Sequence, residues 1–72
     1  MKPRPYHELV GALVRLGCKT LGEDEELVTV CRFPVLVYVP KDPELPVTAQ
    51  RRILAQLGFE DADLLRAVKS LH

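Results

Sequence analysis

Apolar residues at helical spacing open the chain. In "PYHELVGALVRLG", Leu9, Val10, Leu13, Val14 and Leu16 form one stripe, which predicts a first helix. Pro5 suits its first turn and Gly17 its C-terminal stop. The period then changes. "CKTLGEDEELVTVCRF" reads as a hairpin: Cys18 to Leu21 as a short strand, Gly22 to Glu25 as the turn, and Glu26 to Phe33 as a second strand rich in β-formers. Pro34 breaks it, and Val35 to Val39 forms a third strand ended by Pro40. "KDPELP" is a loop, since its prolines favour turn or extended backbone. In "VTAQRRILAQLGF" a second long helix begins, with Thr48 as the expected N-cap; Ala49, Ile53, Leu54 and Leu57 face the core and Gly58 ends it. "EDADLLRAVKSLH" predicts a shorter third helix starting at Glu60 or Asp61, with Leu64, Leu65, Val68 and Leu71 as its stripe.

The expected architecture is therefore α+β, in the order α-β-β-β-α-α. It is a three-stranded antiparallel meander with helices packed on one face, forming a single domain over residues 1–72. Alternation in the third strand places Val35, Val37 and Val39 on one face and Leu36 and Tyr38 on the other. In the second strand, Leu27, Thr29, Cys31 and Phe33 oppose Val28, Val30 and Arg32. Both faces are apolar, so the pattern does not say which one the helices cover. Three answers compete for the remaining face. The third helix folds beneath the sheet, or the apolar residues there express β-propensity on a solvated face, or another chain covers them. The third answer makes Val35, Val37 and Val39 the candidate interface and predicts a homodimer or a partner protein.

Composition narrows the function classes. A 72-residue domain buries only about 60% of its unfolded surface, so its core is thin. A hydrophobic content of 47% argues against disorder. No apolar run approaches the roughly 20 residues that span a bilayer, and "MKPRPYHEL" lacks the apolar region of a signal peptide, so a cytoplasmic protein without membrane contact is expected. Abundant Pro, Arg, Glu, Leu and Val, with no Asn, fit a thermophile or a GC-rich genome equally. Cys18 and Cys31 have neither the spacing nor the histidine company of a metal site and read as small apolar side chains. Glu23, Asp24, Glu25 and Glu26 read as a solvated turn too short to wrap an ion. No cofactor and no metal are expected.

Ten basic residues balance ten acidic ones, which counts against a strong nucleic-acid binder but leaves room for a local patch. Lys41, Arg51 and Arg52 are the candidate RNA-binding residues. They lie around the loop before the second long helix and in its first turns, where exposed N–H groups and the helix dipole favour phosphate. The plainer alternative is that Arg51 and Arg52 form the polar face of an amphipathic helix. Lys2 and Arg4 either extend the patch or belong to a frayed end.

The order of elements, together with "VLVYVPKDPELPVTAQRRILAQLGF", resembles the HicA family of small bacterial toxins from toxin–antitoxin pairs. The likeness rests on Val39-Pro40 ending an apolar strand, the Glu44-Leu45-Pro46 step, Arg51-Arg52-Ile53-Leu54 in the helix, and Gly58-Phe59 at its exit. "ELVGALVRLGC" resembles the first helix, with Cys18 in an aromatic's place. The resemblance implies a fold like the double-stranded-RNA-binding domain, RNA cleavage, and a HicB-like antitoxin as partner. It also implies a catalytic histidine opening the second strand, able to deprotonate a ribose 2′-hydroxyl. The matching segment here is "GEDEELVTV", with Glu25, Glu26 or Leu27 in the histidine's place. Lys41 and Asp42 follow Pro40, where many relatives have another histidine. The two histidines present, His7 and His72, match neither position. The expectation is thus a catalytically degenerate toxin-like protein, with no catalytic residue assigned, that binds RNA backbone or an antitoxin. A module dimerising through an apolar sheet face is the alternative, and an RNase with relocated chemistry the weakest one.

Overall fold

A computed structural model describes residues 1–71. His72 lies outside the described residues. The order is α1 (Tyr6–Arg15), β1 (Lys19–Glu23), β2 (Leu27–Arg32), β3 (Val35–Pro40), α2 (Val47–Leu57) and α3 (Asp61–Lys69). The strands form one antiparallel sheet in the order β1-β2-β3, the α+β meander expected.

The valine face is the covered one. Val28 and Val30 of β2 and Val37 and Val39 of β3 lie in the core with Leu9 and Leu13 of α1, Ile53, Leu54 and Leu57 of α2, and Leu64 of α3. Helices α1 and α2 lie against the sheet, while α3 packs chiefly on α1 and touches α2. It stays on the helical side: Arg15 donates from Nε to Ser70 Oγ at 3.1 Å and from Nη2 to Ser70 O at 2.7 Å. Leu71, just past α3, lies over Gly11 of α1, where a Cβ would meet its Cδ1 at 3.4 Å, an ordinary contact distance. The third helix therefore does not fold beneath the sheet.

Element ends follow local chemistry, with some shifts from expectation. Helix α2 begins at Val47, with Pro46 at the N-cap position, so Thr48 lies inside the helix and caps nothing. At its other end Gly58 adopts φ +79°, while the N–H of Phe59 reaches Leu54 O at 2.9 Å and that of Gly58 reaches Ala55 O at 3.2 Å. These paired bonds absorb carbonyls that the helix leaves open. Arg32, at the end of β2, donates to Leu57 O at 2.7 Å and stacks its guanidinium 4.3 Å from the centroid of Phe59. It thus places a cation at the negative end of the helix dipole. Helix α3 begins with a reciprocal capping box between Glu60 and Asp63. The stripe expected for α3 is half right: Leu64 is buried, but Ala67 takes the second core position while Leu65 and Leu71 stay exposed.

Strand β1 runs to Glu23, two residues beyond expectation, and carries a bulge between Thr20 and Gly22. Asp24 closes the turn, its Oδ1 accepting the N–H groups of Glu26 at 2.7 Å and Leu27 at 2.9 Å. Those bonds favour the ionised carboxylate and hold its pKa below the usual aspartate value. The acidic stretch is accordingly a hairpin tip organised by one of its own side chains.

The N-terminal segment is neither frayed nor part of a basic patch. Arg4 pairs with Leu45 through two backbone bonds, at 3.3 and 2.8 Å. Its buried guanidinium donates to Gln50 Oε1 at 2.8 Å and to Glu8 Oε1 at 2.9 Å. Gln50, itself fully buried, donates from Nε2 to Lys2 O and Leu45 O, both at 2.9 Å. This network ties residues 2–4 and the β3–α2 loop to α2.

Candidate interaction surface

The face of the sheet away from the helices carries Leu27, Thr29 and Cys31 of β2 and Leu36 and Tyr38 of β3, in register as Thr29 opposite Tyr38 and Cys31 opposite Leu36. Lys19 and Gly22 of β1 continue the rows. No described element packs over it. Tyr38 is 60% exposed and Leu36 48%. At one end of the same hairpin, the Phe33–Pro34 turn holds Phe33 91% exposed. An exposed aromatic at the tip and two large exposed apolar side chains on the adjoining strand concentrate apolar surface on one hairpin, and such concentrations mark interaction surfaces.

The expected interface must be corrected accordingly. Val37 is 2% exposed and Val39 fully buried, both beneath the helices. Only Val35, at the strand's start, reaches solvent. The residues free to meet another chain are their neighbours Leu36 and Tyr38. A period of two, with apolar residues on both faces, left this choice open, and the volume filled by three helices on one side made it.

The edges of the sheet differ. Strand β1 is bulged and bears Lys19 and Glu23, features that discourage pairing. Strand β3, "VLVYVP", carries no charge and pairs with β2 without irregularity. The Lys41 N–H donates to Glu26 O at 2.9 Å, which sets the parity of the ladder. Residues 35, 37 and 39 bond towards β2, and Leu36 and Tyr38 direct their N–H and C=O groups outwards. Pro40, which has no N–H to offer, shares that outward parity and suits an edge. Beside this edge, a cleft of about 340 Å³ separates β3 from α2, lined by Leu36, Tyr38, Pro40, Ala49, Arg52 and Gln56 among others.

The three candidate RNA-binding residues are not gathered into a free basic patch. Lys41 is paired with Glu23 at 2.7 Å, and this contact raises its pKa. Arg51 is paired with Asp61 at 2.9 Å. Arg52 makes no ion pair among the described residues and borders the β3–α2 cleft. Two of the three positive charges therefore already face a carboxylate, which lowers the potential available to phosphate.

A second cleft, of about 400 Å³, lies between α1 and the β1–β2 hairpin, and His7, Tyr6, Gly22 and Glu23 line it. It brings His7 near the segment that matches the resemblance's catalytic position. His7 packs edge-on against Tyr6 at 5.8 Å and makes no side-chain hydrogen bond among the described residues, so no partner orients it as a base. Among the described residues no group of His, Cys, Asp and Glu could hold a metal ion. Cys18 is buried, which pushes its thiol pKa up, and both cysteines are free. No described helix is long and apolar enough to cross a membrane.

No family model matches the chain, and neither a curated protein nor a solved structure matches it significantly. Function is therefore argued from the surface itself.

Proposed function

We propose that this protein is a binding module whose working surface is the bare face of its sheet, centred on Leu36 and Tyr38 and continued by Phe33 and the β3 edge. The observation that carries the reading is the concentration of large exposed apolar side chains on one hairpin, next to an uncharged strand edge. A domain with ten basic and ten acidic residues has ample means of keeping a solvated face polar, yet this hairpin is not polar. The role proposed is binding, because the exposed apolar side chains offer a surface to a partner, while His7 in the cleft beside α1 has no orienting hydrogen bond among the described residues.

The HicA-like reading, with RNA backbone or a HicB-like antitoxin as the ligand, is the second one. Helices on one face and a bare sheet on the other are what that resemblance implies. An antitoxin seated on the bare face would be one form of the binding proposed here. RNA binding would instead rest on Arg52, with Lys41 and Arg51 first giving up Glu23 and Asp61.

The test is the size of the protein when isolated gently from cells that make it. A species larger than the single chain is expected, and Leu36→Lys should return it to the monomer while Arg51→Glu with Arg52→Glu leaves it unchanged. A monomer in every case sinks the reading. Bound RNA, lost with steep salt dependence in the arginine variant and retained in Leu36→Lys, would favour the second reading instead.

A further inference from the structure

Resting on that reading, we infer that the occupant of the β3 edge is a second copy of this chain, paired antiparallel about a two-fold axis through Val37. The outward N–H and C=O groups of Leu36 and Tyr38 have no partner from any described turn, loop or helix. With Val37 at the axis, Leu36 of one copy stands opposite Tyr38 of the other, and each such pair exchanges two backbone bonds, four in all. Registers centred on Leu36 or Tyr38 bring Pro34 or Pro40 opposite an outward-facing residue and lose donors, because proline has no N–H. The chosen register joins two three-stranded sheets into one of six. It also sets an aliphatic side chain against an aromatic one twice on the bare face, a favourable cross-strand pair.

Exposure and charge permit a second copy. Tyr38 is 60% exposed and Leu36 48%, and lateral contact between them buries part of that apolar surface at each of the two cross-strand pairs. The formal net charge of zero places no overall repulsion between copies. One contact opposes association. Arg52 lines the cleft beside Leu36 and Tyr38, so the two-fold brings two Arg52 side chains towards each other, and added salt should tighten the dimer by screening them.

Sedimentation of the purified protein from micromolar to millimolar concentration tests this. The wild type should dimerise, more tightly at high salt, and Tyr38→Lys should weaken association about tenfold or more while keeping its circular dichroism spectrum. Register is tested by disulfide trapping in a Cys31→Ser background, necessary because Cys31 faces Leu36 across the β2–β3 ladder. An equimolar mixture of Leu36→Cys and Tyr38→Cys chains should cross-link, and either alone should not. A wild-type monomer at millimolar concentration overturns the inference, as does a dimer indifferent to Tyr38→Lys or a single variant that cross-links as readily as the mixture. If the purified chain is monomeric but the larger species from cells still depends on Leu36, only the second copy is refuted and the bare face stands as the working surface.

Discussion

Gln50→Leu is the substitution whose cost can be worked most directly from the structure. The amide is fully buried and makes three hydrogen bonds: from the Arg4 guanidinium, and to the carbonyls of Lys2 and Leu45. Leucine keeps most of the volume and removes all three. A bond involving a charged group is worth about 1.5–3 kcal/mol and each neutral one about 0.5–1.5 kcal/mol. Leu45 O keeps the backbone N–H of Arg4, at 3.3 Å, so one loss is softened, and about 3 kcal/mol is expected. A domain of 72 residues has on the order of 4–11 kcal/mol in total. At about 0.15 kcal/mol per kelvin of unfolding entropy for this length, the variant should melt about 20 °C lower. Urea titration followed by far-UV circular dichroism measures it. Much of the cost is the stranded Arg4 guanidinium, so Arg4→Met added to Gln50→Leu should recover part of the loss. A single-variant loss below about 1 kcal/mol, or a double variant as unstable as the sum of the two singles, would refute the reasoning.

Asp24→Asn removes the charge but keeps an oxygen to accept the turn bonds. Because the folded pKa of Asp24 is depressed, its charge contributes stability above the unfolded aspartate value, and this contribution is lost as pH falls through the folded pKa. The stability gap between wild type and Asp24→Asn should therefore be constant at neutral pH and close in acid; a gap independent of pH down to the acid transition would argue against it. Gly58→Ala forces a Cβ into a left-handed position and against the Arg32 guanidinium at 3.4 Å, and should cost about 1–2 kcal/mol by urea titration, with no loss being the contrary result.

The partition between sequence and tertiary structure is visible residue by residue. Helical spacing of Leu9 and Leu13, and of Ile53, Leu54 and Leu57, with Gly17 and Gly58 as stops, suffices for two helices, because those signals are local. Pro34 and Pro40 bound β3 for the same reason. Gln50 was legible in principle: it shares the helical face of Ile53, Leu54 and Leu57, but its polarity masked its place in the core. Arg4 carried no local signal, since its partners lie 46 and 4 residues away. The pairing of Lys41 with Glu23 and of Arg51 with Asp61 likewise joins residues that folding alone brings together. The sequence determines by itself that β2 and β3 are strands with two apolar faces. Only the packing of α1 and α2 onto the face of Val28, Val30, Val37 and Val39, with α3 behind them, decides which face is core and which is surface, because alternation along a strand is symmetric between its faces until something fills the space on one side.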